Sequence, residues 1–151
     1  MNEVLNTLTV SGEAKDLSKV VKQFPVRAGE KPWTVKEATE VADELIAERD
    51  RLVGELATAD AELTDLLRNT GDGAGDDQAD SGASALEREH ELTLVNNTRD
   101  LLEQTRHALD RIVAGTFGAC ESCGQPIGKA RLQAFPRATL CVDCKQREER
   151  R

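Results

Sequence analysis

At 151 residues the chain has the length of one ordinary domain, but 32% of it is charged and only 3% aromatic, with no tyrosine. That composition excludes a large aromatic core and favours long, charged helices with a narrow apolar seam. The net charge of -8 argues against duplex nucleic acid as the default partner, because binding it normally needs a basic stripe, and leaves a protein partner as the better expectation.

No stretch approaches the ~18 apolar residues of a membrane span. The opening MNEVLNTLTVSGEAKDLSKV has neither the basic nor the apolar region of a signal peptide, so a cytoplasmic location is expected. The four cysteines should then be reduced thiols, which favours metal binding over disulfides. Residues 1–31 are weakly patterned, and Pro25, Gly29 and Pro32 interrupt VVKQFPVRAGEKP. They read as a flexible N-terminal extension, with a strand at NTLTV or a helical turn near 16–23 as its only local structure.

The pattern changes at Trp33. Thr34 and Glu37 form a capping box, with Trp33 placed to staple onto Ala38. Ala38, Ala42, Leu45, Leu52, Leu56, Ala59, Leu63 and Leu66 then recur in steps of three and four, broken only by Arg49. The seam predicts a helix over residues 34–69, roughly 50 Å long at about 1.5 Å per residue. A second box at Ser84–Glu87 is one opening for a second helix, and Asp77 or Asp80 would cap it a turn sooner. Its apolar face holds Leu92, Val95, Leu102, Leu109 and Ile112, with Thr98 and Thr105 between them, and Gly115 is its stop. Two such helices, neither able to bury its stripe alone, predict an antiparallel hairpin over residues 32–115. The link between them, RNTGDGAGDDQADSGASA at residues 68–85, is rich in glycine and aspartate. Composition alone leaves it as either a flexible linker or the acidic tip of the hairpin, near residues 70–83.

The most specific stretch is CESCGQPIGKARLQAFPRATLCVDC. Cys120 and Cys123 form one C-x2-C pair, Cys141 and Cys144 another, and seventeen residues separate them. This is the spacing of a four-thiolate zinc site, in which two tight knuckles each present two sulfurs to one tetrahedral ion. A closed thiolate set leaves no position for a reacting water, so one structural zinc ion is expected in residues 116–151. Disulfide and redox-dithiol chemistry are the weaker readings. Lys129, Arg131, Arg137 and Lys145 lie between or beside the sulfurs, where they would offset the charge of the zinc centre or touch a partner or phosphate. His90 and His107 fall on different faces of the second helix and are expected as solvated or seam-edge residues. With no phosphate loop and no nucleophile–base pair, an enzyme is not expected.

The finger FGACESCGQPIGKARLQAFPRATLCVDCK closely resembles that of the DksA/TraR family of bacterial transcription factors. The C-E-S-C-G knuckle, the I-G-x-x-R-L run, the proline before the second pair and L-C-x-D-C-K carry the likeness. It covers roughly residues 76–148, while residues 34–75 match only in helical character and residues 1–31 are not covered. The resemblance implies a mainly α fold, a long antiparallel coiled-coil hairpin with a C-terminal four-cysteine zinc-finger lobe. It further implies a monomeric regulator of transcription that binds RNA polymerase directly, passing its tip through the secondary channel, with no sequence-specific DNA binding. Family tips carry D-x-x-D-x-A, matched here by Asp77, Gln78, Ala79, Asp80, Ser81 and Gly82, with glycine in place of alanine. Asp77, Asp80 and Gly82 are thus the candidate tip residues. Many family members act with the alarmone ppGpp, held by basic residues on the second helix and just before the finger's proline. Asn97, Gln104 and Phe135 stand in those neighbourhoods, so only weak coupling is expected, although Lys145 remains. The rival readings are a nucleic-acid-binding finger using the basic residues, and a structural coiled-coil adaptor.

Overall fold

The computed structural model describes the backbone of residues 7–10, 13–69 and 78–151, and the side chains of residues 17–68 and 82–151. Its elements run β1 (Thr7–Val10), β2 (Glu13–Asp16), α1 (Leu17–Val20), a 3-10 turn (Val21–Gln23), α2 (Val35–Asn69), α3 (Gln78–Ala114), α4 (Lys129–Ala134) and α5 (Val142–Glu149). The fold is mainly α and is dominated by the packed pair α2 and α3. The two strands pair antiparallel, Thr7 opposite Asp16 and Val10 opposite Glu13, and a helical turn follows at Leu17–Val20, local structure that the weak patterning of this segment allowed without supporting.

α2 starts where its capping box predicts. The Glu37 amide donates to Thr34 Oγ1 and the Thr34 amide donates to Glu37 Oε1, both at 3.1 Å. α3 begins at Gln78, more than a turn before the Ser84–Glu87 box, which lies inside the helix. Ser84 is a half-buried residue there and not a cap. The stop at Gly115 is a Schellman turn. Gly115 takes φ 79°, its amide donates to the Ile112 carbonyl at 3.2 Å, and the Thr116 amide donates to the Arg111 carbonyl at 3.0 Å. That geometry releases the chain into the finger at a defined angle.

The chain divides into two compact units, Met1–Ala47 with Gln104–Arg151, and Glu48–Glu103. The first has one apolar core, built by Leu17, Val21, Phe24, Trp33, Ala38, Val41, Ala42, Leu45, Ala108, Leu109, Ile112, Phe117, Ile127 and Leu132. At its centre Phe24, Trp33 and Phe117 meet edge to face, with centroids 5.5–6.2 Å apart. Each such pair adds about 0.5–1.5 kcal/mol beyond burial. Residues 17–33 are therefore not a free extension: Leu17, Val21 and Phe24 fall on one side of two short helical turns and are buried at 1–5% exposure. Pro25 follows those turns, and Gly29 sits in a separate turn from Arg27 to Glu30, without removing the segment from the core. Phe24→Ala is expected to lower unfolding free energy by about 3–5 kcal/mol in a denaturant titration. A free extension would leave the midpoint unchanged.

In the second unit Leu52, Val95 and Leu102 are buried, while Leu56, Ala59, Leu63 and Leu66 are half-buried. Asp60 on α2 meets Arg99 on α3 at 3.7 Å. Leu92, expected on the apolar face, is 48% exposed. The burial on α3 keeps strict steps of three and four through Thr98, Val95, Glu91, Arg88 and Ser84, which leaves Leu92 one residue off the stripe and puts polar side chains on it. This unit also concentrates acid. Residues 48–103 hold 15 of the 28 acidic residues and only 5 of the 20 basic ones, so the rest of the chain is slightly positive.

Candidate metal centre

After Gly115 the chain turns into a short hairpin. The Cys120 amide donates to the Gln125 carbonyl at 2.8 Å, the Gly124 amide returns to the Cys120 carbonyl at 2.9 Å, and the Ile127 amide reaches the Gly118 carbonyl at 2.8 Å. Gly124 at φ 76° supplies the left-handed residue that this knuckle needs. The second knuckle is a helix start: Cys141 is the N-cap of α5, and its sulfur accepts from the Cys144 amide at 3.5 Å. The Glu121 amide donates to the Thr139 carbonyl at 2.8 Å and ties the two knuckles together.

The four sulfurs, from Cys120, Cys123, Cys141 and Cys144, lie within 4.8 Å of one another. Cys123 and Cys141 Sγ are 3.8 Å apart. A tetrahedron with zinc–sulfur bonds of about 2.3 Å has edges of about 3.8 Å, so the set fits zinc. All four are free thiols, and this separation is far from the ~2 Å of a disulfide bond. Their electrostatics also call for a cation. Burial raises the Cys120 thiol, but the amides of Cys123, Cys141 and Ser122 outweigh it and bring it down to about 6. At Cys144 the Ser122 hydroxyl pulls downward, but Cys141, burial, Cys123 and Cys120 together push the thiol up to about 12. Four sulfurs this close cannot all shed their protons until a soft divalent ion sits among them.

Two polar clasps hold the finger against the helices of its own unit. Arg111, only 7% exposed, donates to the carbonyls of Thr116 (3.1 Å) and Ala119 and faces Glu121 at 3.8 Å. Burial lowers its pKa, and the Glu121 and Cys120 charges oppose that. His107 pairs with the same Glu121, while His90 is exposed. In the second clasp Lys129 Nζ lies 2.6 Å from Glu37 Oε1 and 5.8 Å above the Trp33 ring. The Lys129 amide donates to Glu30 at 2.9 Å.

Glu37 thus serves its capping box and the clasp at once. The Lys129 hydrogen bond is the main cause that holds its carboxyl at about 2 instead of 4.5; burial opposes this and the Thr34 amide and hydroxyl support it. A depressed carboxyl contributes stability above its unfolded value, and that contribution is lost as pH falls from about 4.5 toward about 2. Glu37→Gln should cost about 1 kcal/mol at neutral pH, discounted for partial exposure. The gap between wild type and mutant should close over that acid window in pH-resolved melts. A gap constant with pH would contradict the clasp.

The structure places the other sequence-derived candidates as follows. Lys129 is committed to Glu37 and Glu30. Arg131 lies over the Phe135 ring at 5.9 Å, and Phe135 is 63% exposed. Arg137 is half-buried, and Lys145 is exposed and pairs with Glu148 at 3.2 Å. A cation that the spacing argument passed over does reach a sulfur: Arg147 Nη2 is 3.9 Å from Cys144 Sγ. Its position three residues after Cys144 on α5 was the signal available for it. Of the tip motif, Asp77 lies outside the described residues. Asp80 is in the first turns of α3 as backbone, and Gly82 is an exposed α3 residue with open space where a Cβ would stand. No helix among the described residues is long and apolar enough to cross a membrane.

Residues 115–150 match the prokaryotic dksA/traR C4-type zinc finger. The chain is 33% identical over 127 residues to the RNA polymerase-binding transcription factor DksA of Haemophilus influenzae, covering 78% of this chain and 84% of that protein. The chain belongs to the DksA/TraR family. The DksA of Caulobacter vibrioides is 43% identical over 75 residues, and that match spans about half of each protein, 50% of this chain and 53% of the relative. Among solved structures, transcription factor DksA2 from Pseudomonas aeruginosa matches with a TM-score of 0.62 and 31% identity, over 76% of this chain and 84% of that one. Family and donor geometry agree on one structural zinc ion as the cofactor.

Proposed function

We propose that this protein is a cytoplasmic regulator of transcription initiation that binds RNA polymerase directly and acts through the tip of its helical hairpin in the secondary channel. The observation that carries the reading is the similarity to the Haemophilus influenzae RNA polymerase-binding transcription factor, which spans 84% of that relative and so includes the helices as well as the finger. The charge distribution supports it. With 15 acidic and 5 basic residues, the stretch 48–103 is poorly suited to a DNA duplex, which leaves a protein partner as the better fit. In this reading zinc fixes the base, α2 and α3 set the reach, and Asp77 and Asp80 act near the active centre on its basic groups or magnesium ions. No covalent step is assigned to the protein itself; its effect is on the lifetime of promoter complexes.

The nucleic-acid reading loses support from the finger's own contacts. Lys129 neutralises Glu37, and Lys145 neutralises Glu148, so the basic set is not a free stripe. Promoter-complex lifetime in purified transcription reactions tests the proposal. The protein should shorten or lengthen that lifetime at promoters of differing stability without binding the promoter DNA alone. Unchanged lifetimes across such a set would sink it.

A further inference from the structure

The metal centre has one open flank. A groove of about 530 Å³ runs along it, lined by Val26, Arg27, Cys123, Cys141, Asp143 and Arg147 among others. Cys123 is exposed and Cys141 half-buried, so two of the four sulfurs face this space. A zinc ion among four thiolates keeps two net negative charges, and an adjacent carboxylate, Asp143, adds to them. Such a centre holds its ion best when hydrogen-bond donors or a cation meet the sulfurs from outside.

Arg147 is the side chain in position to do so. It lies one helical turn beyond Cys144 on α5, its Nη2 donates to Cys144 Sγ at 3.9 Å, and it lines the groove beside Cys123 and Cys141. It therefore contacts one sulfur and borders two others. Among the described residues it forms no ion pair with a carboxylate, whereas Lys129 and Lys145 each have one.

We propose that Arg147 is the positioning cation of the zinc centre: through its hydrogen bond to Cys144 it offsets the charge of the thiolate set and slows loss of the ion across the open flank. Outer partners of this kind change metal affinity by about 10–100-fold. Zinc transfer to a chromogenic chelator, measured on the full-length zinc-loaded protein, tests this. Arg147→Gln should release zinc about 10-fold faster or more, Arg147→Lys should recover most of the retention, and Arg150→Gln should behave as wild type. Retention by Lys but not by Gln identifies the charge, and not packing of the stem, as the active feature. Release from Arg147→Gln at the wild-type rate would overturn the proposal. So would equal acceleration by Arg150→Gln, which would mark a general charge effect, or Arg147→Lys no better than Gln. Wild-type protein free of zinc would overturn it together with the zinc assignment; zinc-bound wild type that releases as Arg147→Gln does would overturn it alone.

Discussion

Stripping zinc, or replacing Cys123 and Cys141 with serine, is expected to unfold residues 116–151. Structural zinc in small fingers supplies on the order of 10 kcal/mol, more than most single interactions in a protein. This lobe has little to replace it. Phe117, Ile127 and Leu132 are its fully buried apolar side chains, too few to order the segment against ~1–2 kcal/mol of backbone entropy per residue. Trp33 is the only tryptophan and offers a direct reporter. It packs 5.8 Å from Phe117 and lies under Lys129, both of which leave when the finger unfolds. Chelation should shift its emission to the red and remove the helical signal of α4 and α5, while most of α2 and α3 persists. A zinc-free protein with unchanged emission and an unchanged melt would show that the thiols are not the fastening of the lobe.

The second large effect is expected at the proposed tip. The double substitution Asp77→Asn and Asp80→Asn should abolish regulation, at least ~10-fold in promoter-complex lifetime, if each lost carboxylate interaction is worth about 1–3 kcal/mol. Binding to polymerase should change little, because an amide keeps the shape of the carboxylate. Normal regulation by the double mutant would remove the tip assignment. Gly82→Ala should act in the opposite direction. The position is helical with nothing within 4 Å of an added Cβ, so alanine gains about 1 kcal/mol of helix propensity and stiffens the segment. Stronger regulation by this variant is the expected outcome, read in the same lifetime measurement; weaker regulation would mean that the glycine's freedom is used.

Local chemistry made much of this legible in the sequence. The Thr34–Glu37 box and Gly115 set helix ends through bonds between near neighbours, and the C-x2-C pairs set a metal site through tight turns. What escaped depends on distant contacts. Leu17, Val21 and Phe24 form a stripe too short to declare itself, and only the arrival of Trp33 and Phe117 explains it. Leu92 was misplaced because a leucine carries more weight in a pattern than Glu91, yet the strict repeat on α3 puts Glu91 inward. Lys129, expected from its place beside the sulfurs to offset their charge or touch a partner, instead pairs with Glu37, nearly a hundred residues away in the chain.

Direct binding of the zinc-loaded protein to core RNA polymerase, with and without a competing secondary-channel factor, is the most direct test of the central claim. Saturable binding that the competitor removes is the expected result. No binding, or binding indifferent to the competitor, with zinc content and fold verified, would contradict it.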